Sequence, residues 1–152
     1  MNSHTIKNTF TIFVALLFSA CSSIDLAPSA IDSEAKTFKG EEGKSVIYVV
    51  QNGGYSSARA LFQITLNGQP QGSLSGQTYH RISAAPGTQM IAASATENER
   101  VLRLVTTPGS VVFVGVSSTI GWSSMRVGDI RKLDDEEGRQ AVLEAKMAQG
   151  FR

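Results

Sequence analysis

Cysteine occurs once in the 152 residues, at Cys21. An intramolecular disulfide is excluded, so the fold must rest on core packing. Histidine is scarce too: His4 lies near the start, and only His80 follows Cys21. No CxxC, HExxH or Cys/His cluster occurs, so a metal site built on those residues lacks ligands, and no metal or other cofactor is expected. The serines are many, but no Gly-x-Ser-x-Gly elbow holds one of them. Long apolar runs are absent: Phe10–Phe18 is nine residues with one Thr, against the ~20 that a bilayer-spanning helix needs. Neither charge sign dominates. Without Lys7 the chain carries 13 basic and 13 acidic residues, which gives no general field for nucleic acid or anionic lipid. A chain of this length can bury a single core, and one domain is expected.

What is present begins with an address. Phe10–Phe18 follows a thinly charged start and fits the apolar region of a secretory signal. Ser19 and Ala20 supply the small side chains needed beside a cut. The stretch Leu17-Phe18-Ser19-Ala20-Cys21 resembles a bacterial lipoprotein signal, with Phe18 where that family usually has Leu. The resemblance implies a signal peptide over residues 1–20 and lipidation of Cys21 as the first mature residue. It also implies sorting to the outer membrane, facing the periplasm, because Ser22 is not Asp. Each buried CH₂ contributes ~0.8 kcal/mol, so more than one acyl chain gives stable anchoring. The membrane is then a partner through the anchor.

After Cys21 the chain divides in two. Residues 21–36 are small and polar, hold one Pro and show no sustained period, which predicts a tether. Residues 37–152 predict one folded domain. Thr37–Lys44 is a lead-in loop. Val46–Val50 is almost continuously β-branched, the mark of a strand buried on both faces. Leu61–Leu66 alternates and turns Phe62, Ile64 and Leu66 inward. Asn67-Gly68 predicts a tight hairpin turn into a short strand at Gly72–Leu74. Further strands are expected at Gln77–Ser83, Gln89–Ala95, Arg100–Thr106 and Ser110–Val116, with turns at Pro86-Gly87 and Pro108-Gly109. Thr119–Val127, with Gly121 inside it and Gly128 directly after, reads as a loop or an irregular strand. About seven short strands without intervening helices predict an all-β fold, an antiparallel β-sandwich. Parallel pairing would need long crossovers that the spacing does not provide.

The end of the chain differs. Asp134 can cap a helix, with Glu137 three residues on, and the acidic first turn suits the positive end of the helix dipole. A short amphipathic helix is expected from about Asp135 to Gln149, with Val142, Ala145, Leu143 and Met147 in a narrow apolar stripe docked on the sandwich.

The markers Gly43-Lys44-Ser45-Val46-Ile47-Tyr48-Val49, Leu66-Asn67-Gly68-Gln69, Gly72-Ser73-Leu74, Tyr79, Pro86-Gly87, Pro108–Val114 and Glu136-Glu137-Gly138 come in a telling order. That order resembles a family of small proteobacterial lipoproteins that carries a domain of unknown function, and is similar in layout to PEGA-type envelope domains. Where many members have an Arg after the first strand, this chain has Gln51; where many have Gly-Lys-Thr before the late aromatic strand, it has Gly109-Ser110. The resemblance implies a β-sandwich in the envelope and no catalytic residues.

The candidate partner contacts are Tyr79 and Trp122. Tyr79-His80-Arg81 is a polar aromatic strip, but alternation puts Tyr79 and Arg81 on one face and His80 on the other. Trp122, flanked by Gly121 and Ser123-Ser124, is either an exposed contact for a partner or glycan, or a core plug. The acids of Asp134–Glu137 are explained by the helix start. The expected function is a non-enzymatic, lipid-anchored envelope module that binds another envelope protein or a cell-wall component, without nucleic acid. The alternatives are a small-ligand-binding periplasmic protein, with a pocket between the sheets or under the C-terminal helix, and an envelope hydrolase.

Overall fold

The β-branched run Val46–Val50 forms the middle of a strand, β1 (Ser45–Gly54), on which both cores are built. Alternation sends Ile47 and Val49 to one side and Val46, Tyr48 and Val50 to the other, and all five are buried. The computed structural model describes residues 24–54 and 60–150. Among these residues α1 (Ser29–Ala35) and β1 are followed by β2 (Leu61–Leu66), β3 (Gln69–Ser75), β4 (Thr78–Ala84), β5 (Gly87–Ser94), β6 (Glu99–Thr106), β7 (Val111–Ile120), β8 (Met125–Leu133), α2 (Asp135–Glu144) and β9 (Lys146–Met147).

The strands make two sheets, one ordered β8-β7-β1-β4-β9 and one ordered β3-β2-β5-β6. Between them lies the main core of Ile47, Val49, Phe62, Ile64, Leu74, Ile91, Val112 and Val114. Phe62, Ile64 and Leu66 point inward as the alternation requires. On the far side of the five-stranded sheet, Val46, Tyr48, Tyr79, Phe113 and Leu133 pack under Ala35 of α1 and Val142 of α2. The architecture is a β-sandwich with its five-stranded face covered by helices. Asn67 (φ 50°) and Gly68 (φ 79°) adopt the left-handed turn that this dipeptide favours.

Three expectations on architecture are corrected. The strands number nine among the described residues, not about seven: β8 was anticipated only as the irregular-strand alternative reaching Val127, and β9 not at all. Thr119–Val127 is the end of β7, a four-residue turn and the start of β8. The pairing is not wholly antiparallel, because β1 runs parallel to β7, and β4 to β9. The crossover that parallel strands need is present, but strands of the opposite sheet make it. The chain leaves β1, crosses to β2 and β3, returns through β4, crosses again to β5 and β6, and only then lays β7 beside β1.

The expected tether is also corrected. Ile24 packs on the main core, the Asp25 carbonyl accepts from the Gln149 amide, Leu26 bridges Ala148, and Ser29–Ala35 is helical, so residues 24–36 belong to the fold. A helix of seven residues is unstable alone. Asp32 holds it in place: Oδ1 accepts from the Tyr79 hydroxyl at 2.8 Å and the Met147 amide at 2.9 Å, and Oδ2 accepts from Lys36 Nζ at 2.9 Å. Lys36 Nζ also donates to the Ala145 carbonyl at 2.7 Å. Burial alone would raise the Asp32 pKa, but the bonds from Lys36, Tyr79 and Met147 outweigh it and hold the carboxyl below its ordinary 3.8. A carboxyl depressed in the fold stabilises above its unfolded pKa, and that contribution is lost as pH falls through the folded value. Asp32→Asn is therefore expected to lower stability by roughly 1–2 kcal/mol at neutral pH. Thermal melts from neutral pH down through pH ~4 and below check this: the gap between the two proteins should close as wild type is acidified. A constant gap would show that the charge is not the source.

Helix α2 begins as anticipated, with Asp134 Oδ1 accepting from the Glu137 amide at 2.8 Å. It ends at Glu144 rather than Gln149. Ala145 is extended (ψ 170°), and the next residues pair with the free side of β4, through Lys146 N–H to Gln77 and Ala148 N–H to Tyr79. Satisfying that sheet edge wins over another helical turn. Val142 and Gly138 face the sheet, whereas Leu143 is 52 % exposed and lies outside the expected stripe.

Candidate functional site

A hairpin tip with small residues can approach a carboxylate closely, and the β7–β8 tip does. Gly121 N–H donates to the Ser124 carbonyl at 2.8 Å, closing a turn that carries Trp122 and Ser123. Glu97, from the turn between β5 and β6, fills its inner side. Glu97 Oε2 accepts from the Trp122 amide at 2.9 Å, and Oε1 accepts from the amides of Ser123 and Ser124, both at 2.7 Å. The hydroxyls of Ser123 and Ser124 donate to the same Oε1 at 3.1 Å. Gly121 is required here, since a Cβ would stand 2.4 Å from Glu97 Oε2. The amides of Ser123 and Trp122 hold the Glu97 carboxyl down at about 2, so it is ionised at any ordinary pH.

The neighbouring Asn98 fixes the two tips to each other. Its amide donates to the Val127 carbonyl at 2.8 Å, and its carbonyl accepts from the Val127 amide at 2.9 Å, as a strand neighbour would. Two consecutive side chains of one turn thus set the backbone of the opposite sheet, Glu97 that of the 121–124 turn and Asn98 that of β8 directly after it. Trp122 projects from this support with 98 % of its surface exposed, and Ile120 beside it is 62 % exposed. The Arg126 side chain lies against Gly121, with Nε 4.0 Å from Glu97 Oε2. An indole held this way buries nothing in its own fold and presents its flat apolar faces to solvent. Trp is rarely left so, because its large apolar area favours burial.

The other candidate contact is corrected. Tyr79 is fully buried under α1, and its hydroxyl is taken by Asp32. Burial and then the Asp32 carboxylate raise its pKa well above the usual tyrosine range. The alternation holds: Tyr79 and Arg81 lie on the helix side and His80 on the other. His80 is buried, and its Nε2 donates to the Ser73 carbonyl at 3.0 Å. Burial lowers its pKa, against hydrogen bonds to the Ser73 and Ala148 backbone. Gly72 leaves room for the ring; a Cβ there would stand 2.6 Å from Cε1. Arg81 pairs with Glu41 at 2.8 Å. In the acidic run at the helix start, Asp134 caps, Asp135 pairs with Arg139 and Glu137 pairs with Arg131. Cys21 lies outside the described residues.

Sequence reasoning missed Glu97 and Asn98. Glu97 and the Trp122 turn are 25 residues apart, and no local pattern connects them. It also missed a cleft of about 370 Å³ beside α1, lined by Ile31, Ala35, Lys39, Glu41, Arg81 and Met147. The cleft is neither between the sheets nor under α2, and the Arg81 guanidinium in it is already held by Glu41 and the Lys39 carbonyl. The chain matches no protein-family model, no curated protein and no solved structure.

Proposed function

We propose that the chain is a lipid-anchored envelope protein whose folded domain is a non-enzymatic binding module, with Trp122 as its contact. The observation that carries this reading is the fully exposed indole on a turn braced by Glu97 and Asn98. Preorganised aromatic side chains are the usual centres of binding energy. The placement supports a binding role. The first described residues lie beside β9, where Leu26 bridges Ala148, at one edge of the five-stranded sheet, while Trp122 follows β7 next to the other edge strand, β8. At ~4.8 Å between strands the two are roughly 20 Å apart across the sheet. A lipid on Cys21 would stand three positions before Ile24, the first described residue, so at most ~11 Å of chain separates it from the body. The domain would then sit at the membrane surface with Trp122 held away from the anchor.

A small-ligand role is the second reading, favoured by the cleft beside α1. It ranks second because the charged group best placed to orient a ligand, Arg81, already has its partner in Glu41.

One experiment tests the leading reading. The full chain carries a photo-crosslinker at position 122, or at Lys132 as control, in intact membranes. Wild type is expected in the detergent phase and Cys21→Ser in the aqueous phase. A crosslinked species should form from position 122 and not from 132. Trp122→Ala should fail to co-purify that species while melting within ~0.5 kcal/mol of wild type, since Trp122 buries nothing. Equal membrane partition of Cys21→Ser would remove the anchor, and unchanged partner recovery with Trp122→Ala would remove the contact.

A further inference from the structure

We propose that the ligand at Trp122 is a polysaccharide, gripped by stacking a pyranose ring on the indole; this rests on Trp122 being the contact. The surroundings of the indole decide the class of partner. Its neighbours in the turn are Gly121, Ser123 and Ser124, small and polar, and the indole itself is 98 % exposed. A protein-binding hot spot is ringed by contacts that exclude water from its centre, and a turn of Gly121, Ser123 and Ser124 with exposed Ile120 on one side closes no such ring. A sugar ring needs none. One face of a pyranose is a patch of C–H bonds that lies flat on an aromatic face, while its hydroxyls point outward at the rim and stay hydrated.

The backbone of the tip points the same way. An extended peptide is usually recognised by free main-chain N–H groups. Here the amides of Trp122, Ser123 and Ser124 all donate to Glu97, and that of Gly121 donates to Ser124. The turn therefore offers a peptide no main-chain donor, and its ring face is what remains. Arg126, lying against Gly121 with its side chain partly exposed, adds a cation to the same tip, within reach of hydroxyls or an attached carboxylate on a bound polymer. Glu97 is a positioning residue, not a contact. It holds the turn in one shape beforehand, so less ordering is lost on binding. A single stacked ring binds weakly, and a polymer that repeats the ring compensates by raising its effective concentration at the tip.

The test uses the full chain in detergent with two probes: purified peptidoglycan sacculi, and soluble oligomers of N-acetylglucosamine. Trp122 is the only tryptophan, so indole emission reports this tip alone. The expected result is a saturable change in emission with the oligomers, and co-sedimentation with sacculi that the oligomers compete away. Trp122→Ala should weaken co-sedimentation roughly tenfold, and Trp122→Tyr less, because part of the stacking face remains. Glu97→Gln removes a carboxylate that the fold holds ionised, so it should lower the melting temperature. Assayed well below that transition, with far-UV circular dichroism still that of wild type, it should also lower the fluorescence anisotropy of Trp122 and weaken binding, a combination that loss of global stability would not give. Binding to sacculi that Trp122→Ala leaves unchanged would overturn the proposal. So would no response to either probe. If in that case position 122 still crosslinks to a protein in membranes, the polysaccharide is wrong and the contact stands; if it crosslinks to nothing, both fall.

Discussion

Val49→Asp is expected to leave the domain unfolded. Val49 has no solvent exposure, and it sits in β1 opposite His80 of β4 on one side and Val114 of β7 on the other. Its side chain enters the core between the sheets, among apolar residues from both. Removing the isopropyl group from that core forfeits ~1.5–3 kcal/mol. An ionised carboxylate there adds a penalty of several kcal/mol, and a neutralised one still leaves polar atoms without partners at ~1–3 kcal/mol. Together these approach the ~5–15 kcal/mol that holds an ordinary domain together. Far-UV circular dichroism and limited proteolysis check the outcome. Val101→Asp is the control. Val101 is half exposed in β6, so the same change should shift stability by no more than ~0.5 kcal/mol. A Val49→Asp protein that melts like wild type would place β1 at an edge and displace the core derived from it.

The features that were legible in the sequence are those fixed within a few residues. The continuous run at Val46–Val50 marks a strand with a layer on each side, and the structure supplies both layers. Asn67-Gly68 and the Asp134 cap are equally local, and both are found as read. The hidden features depend on distant partners. In β8 the apolar residues Val127, Ile130 and Leu133 are spaced by three, a rhythm that suits no regular strand. The register explains it: Ser118 pairs with Val127 and Ser117 with Asp129, so Gly128 is an extra residue in a bulge that returns Ile130 to the core side with Val127. Helix α1 has too few residues to declare itself, and its existence depends on Tyr79 and Met147, far along the chain. That same helix is why Tyr79 is buried rather than presented. The tip was half legible. Gly121-Trp122-Ser123-Ser124 stood out by composition, but whether the indole pointed in or out was set by Glu97 on the other sheet.

Gly138 is where local and tertiary reasoning disagree most sharply, and the tertiary term is expected to win. In the first turns of α2, a glycine costs about 1 kcal/mol of helix propensity relative to Ala, and Leu is nearly as good a helix former as Ala. On propensity alone, Gly138→Leu would stabilise the helix. The structure leaves it no space, because a Cβ at Gly138 would stand 2.2 Å from Cγ and 2.3 Å from Cβ of Phe113. Phe113 cannot yield easily. It is buried, it stacks on Tyr48 with ring centroids 5.3 Å apart, and the Phe38 ring meets it edge-on at 5.6 Å. Arg139, next to Gly138, lies over the Phe38 ring at 4.7 Å and holds that side closed. The helix must therefore lift off the sheet, exposing Val142, which is now fully buried. Gly138→Leu is expected to destabilise the domain by ~3 kcal/mol or more, and Gly138→Ala by about 1–2 kcal/mol after the propensity gain is subtracted. Leu143→Ala, on the exposed side of the same helix, should change stability by no more than ~0.5 kcal/mol. Denaturant melts of the three full-length variants give the order directly. A Gly138→Ala protein more stable than wild type would mean that α2 does not rest on Phe113, and the helical layer over the five-stranded sheet would have to be rebuilt around another contact.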